Sequence, residues 1–369
     1  MKVYNAAVIG LGFIGPQHMD AINRVPQARI AAVCDANPQA AQAAAEAFGV
    51  EKWCTDWREL VEDPSIDVIH NCTPHFLHDE INRAAINQGK HVYCEKPLSL
   101  TTADAREMVH LAEEKGVAVG LNHQYRLNAA VQEMRARLQK GLAGKPLVVW
   151  GRYLQQSAAR QRDYSPKMEN TGLARAINDI GIHWADTACC VLGQPIVSVM
   201  AELITHYPDR VDEKGVSHPM STEDTGLILC RFADGTRGEL FVSKACNGHM
   251  NDLRLAVSCE EYEMQWLQEE PDQLRLGING EGVQVLHMNP KTVQPETLPY
   301  ISTPMGHVMG WPDALRNAVR DYYDSITKGT WRNPTQPYAT FRDGFAGCAF
   351  VEACLKSNQE KKWVDLEQL

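Results

Sequence analysis

An aspartate and a histidine four residues apart, Asp179 and His183, are the pair in this chain best suited to proton transfer. On a helix, residues at this spacing lie on one face, so both side chains could reach the same pair of hydroxyl groups. The imidazole would take or give a proton, and the carboxylate would orient the hydroxyl. A capping or solvated pair is the alternative interpretation. A zinc site would need further ligands at suitable spacing, and the sequence offers none.

A second reactive side chain, Lys96, lies in the tripeptide Glu95-Lys96-Pro97 directly after the apolar run His91–Cys94. The proline stiffens the backbone behind the lysine. If the apolar run is a strand, Lys96 stands at its carboxyl end, where it can reach a substrate hydroxyl. A surface lysine in a turn is the alternative interpretation.

Three glycines follow the first apolar run, Ala6–Ile9, in the spacing of a dinucleotide-binding turn. The first glycine allows the tight turn, the second lets a pyrophosphate approach the backbone, and the third packs the next helix, which we expect to begin near Phe13. The first turn of that helix would favour the phosphates through its unpaired N–H groups and its dipole. The predicted pyrophosphate site consists of Gly10, Gly12, Phe13, Ile14 and Gly15.

Asp35 follows the next apolar run, which ends at Cys34. A carboxylate at this position can accept hydrogen bonds from a ribose diol, and it repels a 2′-phosphate. The residues after it, 36–38, supply no base for such a phosphate, and Arg29 lies one strand length away. NAD is therefore the predicted cofactor, and NADP is less favoured.

Short apolar strands alternate with amphipathic helical stretches as far as about Asn122, and this alternation predicts a doubly wound parallel sheet, the Rossmann fold. The rhythm changes near Gln124, and most later segments are strand candidates, with a hairpin turn at residues 233–236. We predict an α/β protein of two domains. Residues 1–123 form an NAD(P)-binding Rossmann domain, and residues 124–369 form an α+β domain with a large, mostly antiparallel open sheet.

The composition is that of an ordinary globular protein of 369 residues with a formal net charge of -10. The excess of acidic residues gives no electrostatic support for a nucleic-acid or anionic-membrane partner. No apolar run is long enough to span a bilayer. The eleven cysteines are scattered, without metal-binding spacing, and several lie in strand-like runs, so we expect reduced thiols and a cytoplasmic protein.

The combined motifs resemble the Gfo/Idh/MocA oxidoreductase family, which includes glucose-fructose oxidoreductase and inositol dehydrogenases, over almost the whole chain. The motifs are Gly10–Gly15, Cys72-Thr73-Pro74, Glu95-Lys96-Pro97 and Asp179-Ile180-Gly181-x-His183. The resemblance implies NAD(P)-dependent oxidation or reduction of a sugar, polyol or derivative, with Lys96, Asp179 and His183 as the catalytic set. It also implies that Thr73, Pro74, His78, Glu95 and Lys96 approach the cofactor.

The resemblance also bears on the substrate. Tyr125-Arg126 matches a Tyr-Arg pair near the family's active site, where Arg126 could hold a substrate oxygen or carboxylate. Many relatives carry a Trp-Arg-x-x-Pro segment and a run of glycines before the aspartate that corresponds to Asp179. This chain differs from these two patterns at residues 161–166 and 171–175. We therefore expect a distinctive substrate pocket that includes Arg162 and Tyr164.

Three functions are compatible with these residues. The favoured one is an NAD-dependent dehydrogenase that acts on a secondary alcohol of a sugar, glycoside or cyclitol, with either Lys96 or His183 as the base. A redox-neutral enzyme would keep the cofactor bound and process a glycoside by oxidation, elimination and reduction. A non-catalytic dinucleotide sensor is less favoured, because a sensor has no need for the catalytic set.

We predict that the chain self-associates, as a homodimer or homotetramer, through the sheet of its second domain. Its strands carry apolar residues on both faces, and few helices remain to cover the second face. We expect one face, directed to the helices, to carry Leu227, Leu229, Leu240 and Val242, and the other to carry Cys230, Phe232, Phe241 and Ala245.

Overall fold

The computed structural model of the chain describes residues 2–168 and 172–369, without the side chain of Lys167. Thr171, the first residue of segment 171–175, lies outside the described residues. The chain divides into two compact units. The first takes residues up to 127, 312–346 and 369, and the second takes residues 128–311 and 347–368.

The first unit contains a six-stranded, entirely parallel sheet in the order β3-β2-β1-β4-β5-β6. The strands are β1 Tyr4–Ile9, β2 Ala28–Cys34, β3 Lys52–Cys54, β4 Val68–Asn71, β5 His91–Cys94 and β6 Val119–Leu121. The helices between them are α1 Gly15–Asn23, α2 Pro38–Phe48, α3 Arg58–Glu62, α4 His78–Asn87 and α5 Thr102–Lys115. The strand order reverses between β1 and β4, and ligands of such sheets bind beyond the carboxyl ends of the strands at this point.

Local capping explains where several of these helices begin and end. The Asn37 side chain accepts hydrogen bonds from the first turn of α2, and Thr101 does the same for α5. Gly49 and Gly116 end these helices in the left-handed conformation. The first helix begins at Gly15, so our expectation of a start near Phe13 was wrong by two residues, because the chain bends through residues 12–14 before the helix forms.

The second unit contains a nine-stranded sheet in the order β16-β15-β14-β13-β7-β12-β11-β8-β17. Its neighbouring strands are antiparallel except for β7 and β12, which confirms the predicted fold class. The unit's first two α-helices are α6 Ala129–Gln139 and α7 Ile182–Leu192. Its strands are β7 Pro146–Leu154, β8 Ile196–Ile204, β9 Asp209–Val211, β10 Ser217–Pro219, β11 Thr225–Phe232, β12 Arg237–Ser243, β13 Asp252–Cys259, β14 Tyr262–Leu267, β15 Gln273–Ile278, β16 Gly282–His287 and β17 Val364–Asp365; β9 and β10 form a separate ribbon.

Two long helices follow the large sheet in sequence. These are α8, Trp311–Lys328, and α9, Phe341–Glu360. The α8 residues Tyr322 and Tyr323 are fully buried in the first unit. Helix α7 packs against β7 in the second unit, where the buried indole of Trp184 lies over Gly151; a Cβ atom at position 151 would lie 2.1 Å from the indole nitrogen.

The expected assignment of side chains to the two faces of the sheet was wrong. Leu227 and Leu229 are 45% and 47% exposed, whereas Cys230 and Phe232 are buried on the same face as Leu240 and Val242. The reason is the register of the hairpin, which pairs residue 228 with 240 and residue 227 with 241. Paired residues lie on one face, so Leu240 lies beside Ile228 and not beside Leu227.

Candidate active site

The first and third glycines of the turn after β1 are required by close packing. Gly10 has a φ of +90°, and a Cβ atom there would lie 2.6 Å from the carbonyl oxygen of Cys72. A Cβ atom at Gly15 would lie 2.1 Å from the carbonyl oxygen of Gly10. The turn and the start of α1 therefore hold their positions only with glycine at both places.

Gly12 has a different surrounding. Apart from Gly12 and its two neighbours in sequence, no described residue has an atom within 4 Å of a Cβ atom built at this position, so protein packing does not require glycine here. The first turn of α1 begins after Ile14 without a side-chain cap. Open space beside uncapped N–H groups at a helix N-terminus fits a pyrophosphate. Phe13, between these features, is exposed.

Asp35 lies just beyond the carboxyl end of β2 and is held by backbone groups. Its two carboxylate oxygens accept the Leu11 N–H at 2.7 Å and the Asn37 N–H at 2.9 Å. Arg29 lies near the opposite end of β2, where its guanidinium donates to Asn5. The carboxylate is thus fixed for a ribose diol, and Arg29 is not placed for a 2′-phosphate.

The loops after β4 and β5 are tied together by His78, which is buried. Its Nδ1 lies 2.7 Å from the carbonyl oxygen of Pro97, and its Nε2 lies 3.0 Å from the carbonyl oxygen of Thr73. Burial lowers the pKa of His78. The Asn71 side chain accepts the Thr73 hydroxyl at 2.7 Å, whereas Pro74 stays exposed. Both loops therefore keep one arrangement at the carboxyl edge of the sheet.

Glu95 is buried and holds the backbone of Lys96. One carboxylate oxygen accepts the Lys96 N–H at 3.1 Å, and the other accepts hydrogen bonds from Asn122 and from His18 at 3.1 Å. Burial alone would raise the pKa of Glu95, but the hydrogen bond from His18 and the charge of Lys96 hold it below its usual value. The peptide bond between Lys96 and Pro97 is cis. An ionised carboxylate therefore fixes the backbone that carries the Lys96 ammonium.

The predicted substrate residues Tyr125 and Arg126 lie in a short 3₁₀ turn, 124–127, and are almost fully buried. The Arg126 guanidinium donates to Asp343 at 2.9 Å. Burial favours the neutral acid, yet the charge of Arg126 holds the pKa of Asp343 below its usual value. One part of the guanidinium fork is therefore occupied by a carboxylate of the first unit, and a role in substrate binding remains a prediction.

Asp179 and His183 lie on consecutive turns in the second unit. Asp179 belongs to a π-helical turn, Ile177–Gly181, and His183 belongs to α7, which follows it directly. The Asp179 side chain is 45% exposed and forms an ion pair with Lys244. His183 is buried. The unit thus combines a paired carboxylate and an imidazole, two groups that can orient a hydroxyl and move its proton.

A buried group of charged residues fixes the start of this helical segment; we name it the ion cluster, and it consists of Arg175, Arg210, Glu223 and Asp224. Glu223 accepts the backbone N–H groups of Arg175 at 3.0 Å and Ile177 at 2.8 Å. Asp224 lies between Arg175 and Arg210, and burial raises the pKa of Glu223. The segment that carries Asp179 therefore begins on a carboxylate anchor.

Sequence reasoning missed Lys244 and the ion cluster. Lys244 directly follows β12, but it is 65 residues from Asp179, and no local spacing indicates their pairing. Glu223 is likewise 46 residues from Ile177. A search for charged residues at the ends of the predicted hairpin strands would have found Lys244 and Asp224, although without their partners.

Arg162 and Tyr164, the two predicted substrate residues of segment 161–166, have different surroundings. Tyr164 stacks on the ring of His218, with ring centroids 3.9 Å apart and planes 14° apart. Arg162 is exposed. A stacked aromatic ring at a fixed position can present a flat apolar surface to a substrate. The contact of Tyr164 with substrate stays a prediction.

The described residues contain neither a metal-binding cluster nor a membrane-spanning helix. Among residues 2–168 and 172–369, no group of three His, Cys, Asp or Glu side chains could hold a metal ion. Within the same described ranges, every helix is too short or too polar to cross a membrane.

The chain matches two family models. Residues 4–123 match the oxidoreductase family GFO/IDH/MocA, described as an NAD-binding Rossmann fold, and residues 131–265 match the GFO/IDH/MocA C-terminal domain. Both predicted regions of chemistry, the glycine turn and the Asp179–His183 segment, fall within these matches.

Individual relatives extend the similarity over the whole chain. Inositol 2-dehydrogenase 2 of Saccharopolyspora erythraea is 30% identical over 359 residues, which cover 96% of this chain and 92% of that protein. Levoglucosan dehydrogenase of Pseudarthrobacter phenanthrenivorans is 26% identical, with all of both chains covered. A solved structure of levoglucosan dehydrogenase in complex with NADH and L-sorbose superposes with a TM-score of 0.91 at 27% identity, again covering both chains completely.

Proposed function

Because the chain belongs to the Gfo/Idh/MocA family of oxidoreductases, we propose that it is a dehydrogenase that transfers a hydride between NAD and a secondary alcohol of a sugar, glycoside or cyclitol. The observation that carries the proposal is the turn after β1, in which Gly12 is open to a ligand while Gly10 and Gly15 are closed by packing. Two relatives that match 96% or more of the chain are a levoglucosan dehydrogenase and an inositol 2-dehydrogenase.

The residues of the first unit fit NAD. Its pyrophosphate would lie against residues 10–15, and Asp35 would accept hydrogen bonds from the ribose. Thr73, Pro74, His78, Glu95 and Lys96 would line the remaining part of the cofactor site. When bound, NAD supplies the acceptor or donor of the hydride.

The chain's own residues would move the proton. Lys96 or His183 takes the hydroxyl proton during oxidation, and the Lys96 ammonium stabilises the developing alkoxide. Asp179 orients the neighbouring hydroxyl groups. Substrate specificity would come from four further residues: Tyr125, Arg126, Arg162 and Tyr164.

We assign cofactor binding to residues 1–123, of which Lys96 also contacts substrate, and substrate binding and self-association to residues 124–369. Of this second range, residues 124–127, 312–346 and 369 belong to the first compact unit. The test begins with a panel of sugars, glycosides and cyclitols in the presence of NAD. Net formation of NADH supports the dehydrogenase and excludes a redox-neutral route as the sole activity.

Two substitutions test the catalytic roles. Lys96→Ala and His183→Ala should each lower the rate of hydride transfer by roughly 100-fold or more and leave NAD binding nearly intact. Lys140→Ala and His287→Ala, on the surface of the second unit, serve as matched controls. Near wild-type turnover in either catalytic variant would show that its role is assigned wrongly.

We propose in addition that the chain self-associates, as a dimer or tetramer, through the exposed face of the nine-stranded sheet. Met200, Leu227, Leu229 and Phe241 form an apolar patch on the adjacent strands β8, β11 and β12. Closed pairing of identical patches would remove this surface from water. Light scattering tests the idea, since a single mass near the 41.2 kDa of one chain would reject it.

The expected cytoplasmic location is also part of the proposal. No disulfide bond joins any of the eleven cysteines, all of which lie among the described residues, and this suits a reducing compartment. Cell fractionation would contradict the location if the protein were recovered outside the cytoplasm.

A further inference from the structure

Three fully buried side chains, those of His18, His70 and Tyr323, form a line of hydrogen bonds in the first unit, which we name the histidine chain. The Nδ1 atoms of His18 and His70 lie 3.1 Å apart, and the His70 Nε2 lies 2.9 Å from the Tyr323 hydroxyl. At the other end, the His18 Nε2 lies 3.1 Å from Glu95 Oε1. The chain thus connects a buried phenol with the carboxylate that holds the Lys96 backbone.

With a neutral His18 ring, the carboxylate sets the direction of each hydrogen bond along the histidine chain. A carboxylate only accepts, so His18 Nε2 carries a hydrogen and, in a ring with one N–H, Nδ1 accepts. His70 must then donate from Nδ1 and accept at Nε2 from the Tyr323 hydroxyl. Burial lowers the pKa of His70 well below its usual value and raises the pKa of Tyr323 well above its own, so the His70 ring stays neutral and the phenol keeps its hydrogen.

We propose that His18, His70 and Tyr323 are positioning residues: together they keep the Glu95 carboxylate ionised and aimed at the Lys96 backbone N–H, and so hold Lys96 in place for catalysis. This inference rests on the proposed catalytic role of Lys96. The histidine chain also joins α1, whose first turn belongs to the pyrophosphate site, to the loop that carries Lys96.

A purely structural role would use the shape of these rings and not their hydrogens. His70 stacks on the Tyr323 ring, with planes 17° apart, so both rings also contribute to packing. The adjacent residue, Tyr322, separates the two roles. It is equally buried on the same helix, but its hydroxyl donates to the Ala118 carbonyl oxygen and not to the histidine chain.

The first experiment compares Tyr323→Phe with Tyr322→Phe, each of which loses one buried hydroxyl and keeps its ring. Tyr323→Phe should lower kcat by roughly tenfold with little change in KM, as expected when a hydrogen bond that supports a buried charge is lost, whereas Tyr322→Phe should keep the wild-type kcat. Equal kcat values in the two variants, at similar melting temperatures, would overturn the proposal.

A conservative pair tests the other end. His18→Leu removes the donor to Glu95, and His18→Gln keeps an N–H group near the position of Nε2. The glutamine variant should recover most of the kcat that the leucine variant loses. If both variants lose kcat equally, the hydrogen bond to Glu95 is not what matters.

The second experiment does not depend on activity. Imidazole nitrogen NMR of the full-length protein should find His18 protonated at Nε2 and His70 protonated at Nδ1, with both tautomers unchanged in Tyr322→Phe. Protonation of His70 at Nε2 in the wild type would reverse the direction of the hydrogen bonds along the histidine chain and would overturn the proposal. If the tautomers are as expected but no sugar is oxidised, the proposed function fails. If sugars are oxidised but Tyr323→Phe behaves like Tyr322→Phe, only the positioning role fails.

Discussion

The two units fix their predicted site residues by different forces. In the first unit, backbone N–H groups and buried histidines hold the carboxylates Asp35 and Glu95. In the second unit, two buried arginines and two buried carboxylates fix the segment that carries Asp179. The first unit therefore depends on steric fit and neutral rings, whereas the second unit depends on the balance of buried charges.

The largest expected effect is on the buried charges. Asp224→Asn would leave Arg175 and Arg210 without their shared anion, and we expect the free energy of unfolding to fall by about 3–5 kcal/mol. Urea denaturation followed by tryptophan fluorescence, to which the buried Trp184 and Trp266 of this unit contribute, measures the loss.

A surface ion pair in the same unit provides the control for this substitution. Arg275 and Glu270 are paired but more than a third exposed, so Glu270→Gln should cost less than about 1 kcal/mol. If Asp224→Asn lowers the free energy of unfolding no more than Glu270→Gln does, buried charge is not what stabilises the second unit.

Glycine substitutions test whether steric fit holds the glycine turn of the first unit in place. Gly12→Ala should fold normally, because the new methyl group meets open space, but it should weaken NAD binding by roughly tenfold or more by occupying the pyrophosphate site. Gly15→Ala should instead lower the melting temperature, because its methyl group meets the Gly10 carbonyl oxygen. Calorimetric titration with NAD and thermal unfolding separate the two outcomes, and normal NAD affinity in Gly12→Ala would contradict the proposed site.

These substitutions also mark what the sequence could predict. The glycine turn was predictable because Gly10 and Gly15 are required by contacts within a few residues or with the adjacent strand. The ion cluster was not, because Arg175 and Asp224 are 49 residues apart and charged residues suit a solvated surface equally well. The faces of β11 were assigned wrongly because apolar side chains stand on both faces of this strand. The hydropathy pattern therefore does not define the pairing register.

Mild acid should weaken the first unit before the second. Burial lowers the pKa of His70, His78 and His91, the last to about 4, so these rings bind protons in the unfolded chain before they do so in the folded one. Their stabilising contribution is complete above pH 6.5 and is lost as the pH falls toward the folded pKa. Glu223 has a raised pKa, so acid does not weaken its contribution in the same way.

Hydrogen exchange at pH 7 and pH 5.5, corrected for intrinsic rates, tests this difference. Protection should fall in β4 and β5, by about 1 kcal/mol from His91 alone at pH 5.5, and should stay constant in β11 and β12. His91→Asn keeps an acceptor for the Ala118 N–H without the titrating ring and should recover that part of the loss. Equal loss of protection in both units would contradict the comparison.

The smallest effect is expected at Lys244, where the charges of the second unit reach water. Asp179 is 45% exposed, so solvent screens its pairing with Lys244. Lys244→Met should lower kcat/KM by roughly threefold to fivefold, mainly through KM, because the carboxylate that orients the substrate loses its partner. Lys244→Arg should restore most of the loss, and Arg152→Met, which breaks the ion pair with Asp252 between β7 and β13, is the matched control. If the arginine variant is no better than the methionine variant, a positive charge beside Asp179 does not suffice, and the geometry of the ammonium itself must matter.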